Sequence, residues 1–419
     1  MFPRMFAHLA ARSAAASLLS GLALALSLSP AQGQTPDSSF FAPALTAEYL
    51  DKEGDLLRTS TAVVVSGGLI VPATFLRDAA RVRLTGVDGY RATSDQIVAF
   101  KADVNLALLG LDRLPPFALA VSEDPTYRIG MELLLVRGPT GDGPQWIATK
   151  VLEKFSLRGP DFLALSEGIV GGAAAYGPDG SLFGLAFQLE GEAEPVPYLV
   201  TSVSIRKLLA VRGEAVDLED LALPAPPDFL DPATTDGLLF RGAHMLLAGR
   251  SEEARALVAQ AAKQDPNLPL THFWLGKISF ADKNWTAAAD EFWYAAQADT
   301  TWSLAWRMSG AALHQADAFT DAIRMYERAL LADPRSAQAE LHLGSAYYEL
   351  GQFPEAVAAF ERAIALEPGL GLAYFNLART HQAEGDRAEA EAVYLRLKER
   401  NETWAQNLRK ALDAQPEAR

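Results

Sequence analysis

Between about Ala44 and Val211 the apolar residues come in short runs rich in Val, Ile, Leu and Phe. Ala62–Val65, Leu69–Val71, Leu106–Leu109 and Leu133–Val136 are examples. Turn-forming stretches separate them: Ser66-Gly67-Gly68, Val87-Asp88-Gly89, Gly141-Asp142-Gly143 and Gly177-Pro178-Asp179-Gly180. Many short strands with closely spaced turns predict a β-barrel or sandwich. Ser202–Ala210 reads as a short closing helix. From 212 to 234 the prolines of Leu223-Pro224-Ala225-Pro226-Pro227 and Asp231-Pro232 oppose regular structure, which predicts a linker. Beyond it the pattern is helical to the end of the chain.

The helical part repeats. Ala254, Ala288, Ala322, Ala356 and Ala390 recur at intervals of 34 residues. A small residue stands 12 positions before each: Gly242, Gly276, Gly310, Gly344 and Ala378. An apolar, mostly aromatic residue stands four after: Val258, Phe292, Tyr326, Phe360 and Tyr394. Pro266, Pro334 and Pro368 close three repeats, with Thr300 and Glu402 at that place in the others. Small residues on both helices of a pair let the backbones approach, the ring fills the next gap, and proline stops the second helix. Gly249, Gly351 and Gly385 fall at the turn inside a pair, where a left-handed backbone suits glycine.

Residues 235–404 therefore resemble five tetratricopeptide (TPR) repeats, an all-α solenoid, and 405–419 reads as a capping helix and tail. Arg241 stands where that family usually has Leu, so the first repeat matches least. The resemblance implies a peptide groove lined by first-helix residues. In this chain those places hold Phe273, Lys277, Phe280, Arg307, His314, Tyr348, Phe375 and Arg379. The family's paired Lys and Asn carboxylate clamp is not matched. Rings and cations together suit an acidic, partly apolar stretch of a protein or peptide partner.

A second resemblance lies in the β region. Gly67–Val71, Asn105–Leu109, Gly168–Gly172 and Asp179–Gly184 are similar in order and spacing to trypsin-like proteases of the HtrA type. Tyr198–Leu209 matches their closing strand and helix. The resemblance implies a mostly-β trypsin-like double barrel over residues 44–211. Its catalytic positions are empty of chemistry: the histidine slot falls on Thr74 or Phe75, the aspartate slot on Asn105 and the serine slot on Val170. All six histidines lie outside this region, so it cannot hold a Ser-His-Asp triad. The expectation is a non-enzymatic scaffold with no catalytic residue. The alternative is a serine peptidase with a non-standard nucleophile, for which Ser166 with Lys150 or Lys154 is the candidate. The loop backbone of Gly168, Val170, Gly171 and Gly172 keeps the residue types that would accept a carbonyl or carboxylate.

Composition narrows the rest. A net charge of -15 argues against nucleic-acid binding. No cysteine is present, which removes disulfides, thiolate nucleophiles and Cys-based metal sites. The repeat histidines fall at different phases, so no metal site and no cofactor is expected. Arg4 and Arg12, the apolar run Ala14–Leu28 and Ser29-Pro30-Ala31 read as a signal peptide over residues 1–31. Once it is cleaved, no later stretch of the sequence suits a membrane span. The expected location is exported, in a bacterial periplasm.

Overall fold

The computed structural model describes residues 44–413 apart from 66–67, 87–88, 112–119, 124–126, 128–129, 141–142, 157–160, 167–171, 178–180, 189–196, 212 and 221–227. The signal-peptide reading, the proline run and most of the Gly168–Gly172 loop lie outside the described residues. The chain divides into two compact units between Gly237 and Leu238.

The first unit is antiparallel β. Eight strands form one sheet: β1 (Ala44–Leu50), β2 (Leu56–Val65), β3 (Gly68–Pro72), β4 (Arg81–Thr85), β5 (Arg91–Ser94), β6 (Gln96–Lys101), β7 (Leu106–Leu109) and β14 (Val216–Asp217). Their order is β14-β6-β7-β3-β2-β1-β4-β5. The other six strands are β8 (Glu132–Thr140), β9 (Gly143–Ser156), β10 (Asp161–Leu165), β11 (Ala173–Tyr176), β12 (Leu182–Gln188) and β13 (Pro197–Thr201). They close into a barrel in the order β10-β13-β12-β11-β8-β9. Helix α1 (Ser202–Ala210) follows β13 directly.

Burial explains the strand patterns. Toward the sheet edge, β4 alternates, with Val82 and Leu84 inside and Arg81 and Arg83 outside. In the middle, β3 and β7 are buried along their whole length, so their apolar runs are continuous. Leu45, Tyr49, Val64 and Leu109 share one core, and Leu133, Leu163, Phe183 and Leu199 another. The two sheets touch closely: a Cβ on Gly138 would lie 2.3 Å from the Leu45 carbonyl carbon. The Thr61 hydroxyl of β2 donates to the Gly172 carbonyl at 2.6 Å.

Two expectations change here. Of the two expected barrels, the described strands show one closed barrel and one eight-stranded sheet. The segment read as a linker is partly built into the β unit. Val216 and Asp217 pair with Ile97 and Gln96, Leu218 is buried, and the Phe229 ring lies 4.8 Å from that of Phe162. An edge strand of two residues needs no hydrophobic pattern, and proline nearby does not forbid it.

The second unit is helical. Five antiparallel pairs follow in order: α2 (Thr235–Leu247) with α3 (Ser251–Gln264), α4 (Pro269–Ala281) with α5 (Trp285–Ala298), α6 (Ser303–Gln315) with α7 (Phe319–Ala332), α8 (Ala337–Glu349) with α9 (Phe353–Leu366), and α10 (Gly371–Glu384) with α11 (Arg387–Lys398). Helix α12 (Glu402–Asp413) covers the last pair with Ala405, Leu408 and Leu412. The five repeat alanines are all buried. A Cβ on Gly276, Gly310 or Gly344 would lie 2.6–2.7 Å from the ring of Phe292, Tyr326 or Phe360. The backbone between the helices of each pair passes through one left-handed residue. It is Gly249, Gly351 or Gly385 in three pairs, but Lys283 (φ 60°) and Asp317 (φ 59°) in the other two.

Candidate functional site

The first helices of the pairs, α4, α6, α8 and α10, carry the residues expected to line a groove. Positions four apart on a helix share a face, which is why these side chains recur along one side of the array. The structure sorts them into different roles.

Phe273 is not available to a ligand. It is only 8% exposed, and its ring packs 4.5 Å from Trp302 and 5.4 Å from Phe292 in the core between repeats. Phe280 is half-buried on Trp285 at 4.9 Å, and the Lys277 ammonium lies 4.8 Å from the Trp274 ring centre. Phe375 is half-buried toward the cap, its ring 6.5 Å from Trp404. These four form no single cluster.

The remaining four fall into two neighbouring polar sites. In the first, the Arg379 guanidinium sits 5.3 Å over the Tyr348 ring. Ser345, Glu349, Phe360 and Asn376 complete a small cleft of about 40 Å³, and Asn376 Nδ2 donates to Ser345 Oγ at 3.3 Å. In the second, Arg307 Nη1 lies 3.4 Å from His342 Nε2. A guanidinium can only donate, so Nε2 is the acceptor and the imidazole is neutral there. The His342 ring stacks on Tyr326 at 5.6 Å and 18°.

Electrostatics agree with a neutral imidazole. Burial, together with the charges of Arg307 and His314, pushes the His342 imidazole down to about 4. Burial also lowers His314, against the opposing pull of Glu349 and Asp317. The Arg307 guanidinium is itself lowered by burial. Tyr326 is raised by burial, and its hydroxyl has no hydrogen-bond partner among the described residues.

Four second-helix arginines are ion-paired. On the second helices, Arg255 pairs with Asp282, Arg324 with Asp321, Arg362 with Glu340 and Arg396 with Glu361. Arg307 and Arg379, on first helices, have no carboxylate in ion-pairing range among the described residues. Sequence reasoning missed His342, Tyr326, Ser345 and Asn376. His342 and Asn376 each stand one place beyond a position assigned to the groove, at the repeat phase that reaches back to the preceding first helix.

In the β unit, Thr74 and Asn105, which the sequence resemblance set against two catalytic positions, are joined. The Thr74 backbone N–H donates to Asn105 Oδ1 at 2.8 Å, and Asn105 Nδ2 donates to the Thr74 hydroxyl at 3.1 Å. Asn105 is left-handed (φ 57°) and 5% exposed, so its amide is committed to this bracket. The Ser166 hydroxyl accepts the Lys150 backbone N–H at 3.0 Å. The two lysine ammonium groups go elsewhere, Lys150 to Glu132 at 3.5 Å and Lys154 to Asp161 at 2.8 Å. Val170 lies outside the described residues; Gly172, at φ 82°, is the described end of that loop. Among the described residues no cluster of His, Asp and Glu is placed to hold a metal ion, and no helix is long and apolar enough to cross a membrane.

The family model for the tetratricopeptide repeat matches residues 244–301, 310–371 and 341–403. A search of curated proteins gives no match. Among solved structures, the chain is similar to MamA, with 27% identity, 39% of this chain and 96% of that chain covered, and a TM-score of 0.37. It is also similar to PilW, a widely conserved type IV pilus biogenesis factor, at 22% identity over 43% and 86% of the two chains, with a TM-score of 0.38. YrrB, a TPR protein with an unusual peptide-binding site, gives 18% identity over 43% and 94%, with a TM-score of 0.37. The helix pairs, their 34-residue period and the matched residues agree: the C-terminal array consists of tetratricopeptide repeats.

Proposed function

We propose that the protein is a non-enzymatic, exported scaffold that binds a protein or peptide partner through the first-helix face of its repeat array. The observation that carries this reading is the grouping of Arg307 and Arg379 with aromatic rings on the first helices. Arg307 is partly buried beside His342, and Arg379 sits over the Tyr348 ring, and neither has an ion-pair partner among the described residues. A chain with 52 acidic side chains against 37 Lys and Arg has carboxylates to spare, so two cations kept apart from them are suited to an incoming one.

The β unit reads as a trypsin-like domain of the HtrA type that has lost its catalysis. In support, a closed six-stranded antiparallel barrel ends in a strand followed at once by a helix. The histidine and aspartate slots hold Thr74 and Asn105, which bond to each other but cannot relay a proton at neutral pH. The basic start and apolar run of residues 1–31 support the reading of export to a bacterial periplasm. The acidic balance disfavours nucleic acid as a partner.

The test is selection of displayed random peptides on the full chain, followed by the double change Arg307→Glu and Arg379→Glu. Selected peptides should lose binding while the helical circular dichroism stays intact, and rising salt should weaken the wild-type complex. Peptides whose affinity is indifferent to both would move the binding surface to the β unit.

A further inference from the structure

We infer that the chain pairs with a second copy of itself through the second-helix face of its second and third repeats, with Trp293 and Tyr294 of each copy set against Arg328 and Leu331 of the other. This face is separate from the proposed groove, and the inference does not depend on it.

The repeat period sets a rule that this face breaks. Between α9 and α11, Arg396 of the later helix forks onto Glu361 of the earlier one, Nη1 to Oε1 at 2.6 Å and Nη2 to Oε2 at 3.0 Å. One repeat earlier the same two places hold Glu327 and Arg362. A further repeat earlier they hold Trp293 on α5 and Arg328 on α7. Tryptophan stands where the acid belongs, so Arg328 is exposed and has no ion-pair partner among the described residues. Around the break, Trp293 is 39% exposed, Tyr294 53% and Leu331, one turn beyond Arg328, 76%. The Trp293 and Tyr294 rings lie 5.3 Å apart at 75°, and the His272 ring braces Tyr294 at 5.6 Å. His272 is itself bonded to Glu291 at 2.8 Å. The rings are therefore held in place while much of their surface faces water.

The two sides of this face complement each other. Helix α5 carries no Lys or Arg, and its exposed Asp290, one turn before Trp293, has no ion-pair partner among the described residues. Helix α7 offers Arg328 as an unpaired cation and Leu331 as an aliphatic contact; its other arginine, Arg324, is engaged by Asp321. Rings and an acid on one side, with a cation and an aliphatic side chain on the other, suit a two-fold interface, because the rotation lays α5 of each copy on α7 of the other. Each Arg328 then meets a Trp293 ring and an Asp290 carboxylate, and the contact is made twice. Trp, Tyr and Arg are also the residue types that dominate the energetics of protein interfaces. A lipid surface would cover the rings but leave Asp290 and Arg328 without counterparts. The patch is small, so the pairing is weak, with a dissociation constant on the order of micromolar or higher.

The experiment is sedimentation equilibrium of the full chain over a wide range of concentration. The wild type should show a reversible monomer–dimer equilibrium. Trp293→Glu with Tyr294→Arg gives the second repeat the residues that the third and fourth carry at these places, so the helices should form with unchanged circular dichroism. That double change should weaken pairing roughly thirtyfold or more. Arg328→Glu should weaken it too, and adding Asp290→Arg to Arg328→Glu should recover part of the loss, since the exchanged charges meet across the two-fold axis. A wild type that stays monomeric throughout overturns the inference, whether the face then proves to bind phosphatidylcholine vesicles or another protein. A dimer that survives the ring change overturns it as well, because the contact lies elsewhere. A dimer lost with the rings, yet no better for the charge exchange than for Arg328→Glu alone, overturns the pairing of α5 with α7.

Discussion

Replacing Gly344 by Ala tests how closely the two helices of a repeat are packed. The new methyl would lie 2.7 Å from Phe360 Cε1 and 2.8 Å from Cδ1. Real contacts of this kind need about 3.5–4.0 Å, so something must move. Phe360 is completely buried in the cluster that holds Ala356, Tyr374 and Leu377, and the small cleft it borders leaves little room for the ring to shift. Alanine in place of glycine in a helix gains about 1 kcal/mol from backbone entropy. Overpacking a closed core costs about 1–3 kcal/mol. The second effect wins, and the array should lose about 1 kcal/mol. Ala378 provides the internal control, since the fifth repeat already carries the methyl and its ring, Tyr394, is only half-buried. There Ala378→Gly should also destabilise, by about 1–2 kcal/mol, from helix propensity together with the loss of a buried methyl. Urea titration of the full chain, followed by far-ultraviolet circular dichroism, reads the helical transition. Gly344→Ala should lower its midpoint, and Gly344→Ala with Phe360→Leu should recover most of it. A midpoint raised by Gly344→Ala alone would refute the close ring contact.

Three further outcomes are expected. Lys283 holds a left-handed backbone that glycine adopts freely, so Lys283→Gly should raise stability by about 0.5–1 kcal/mol in the same titration; a lowered midpoint would contradict the assigned turn. His342 titrates at about 4 in the fold against 6.5 unperturbed, so the unfolded chain binds the extra proton first as pH falls. Stability should therefore decrease from about pH 6.5 down to pH 4, by on the order of 3 kcal/mol from this group, with His314 acting in the same direction. A His342 proton resonance titrating near 6.5 would remove this contribution. A fluorophosphonate serine probe should not label the full chain, because the Ser166 hydroxyl is held to the Lys150 backbone and neither lysine ammonium reaches it; labelling lost in Ser166→Ala would restore the peptidase alternative.

The repeat array was legible because packing imposes the same residue at the same phase five times. The small residue, the buried alanine and the ring all leave a period of 34 in the sequence. The left-handed turn was only partly legible, since glycine marks it in three pairs while Lys283 and Asp317 adopt the same backbone at some cost. The groove was harder to read, because binding positions vary between repeats and have no period to reveal them. Phe273 sits at a groove phase, yet Trp302, from the connection into the next repeat, covers it. His342 joins Arg307 across two first helices, a pairing that exists only once the repeats stack. In the β unit the strand pattern was legible, but barrel closure depends on register, which apolar runs do not encode. The same holds for Val216–Asp217, an edge strand that is defined by its partner Ile97 rather than by its own residues.

The central claim, that a partner lies along the first-helix face, is tested most directly by site-specific photo-crosslinking. A photoreactive residue at Ala311, one turn beyond Arg307 on α6, would stand in the proposed groove. The same residue at Arg328, exposed on α7, would stand on a second helix, and one at Arg83, exposed on β4, would report on the β unit. With a selected peptide bound to the full chain, crosslinking is expected from Ala311 and not from Arg328 or Arg83. Crosslinking from Arg328 or Arg83, with none from Ala311, would contradict the account.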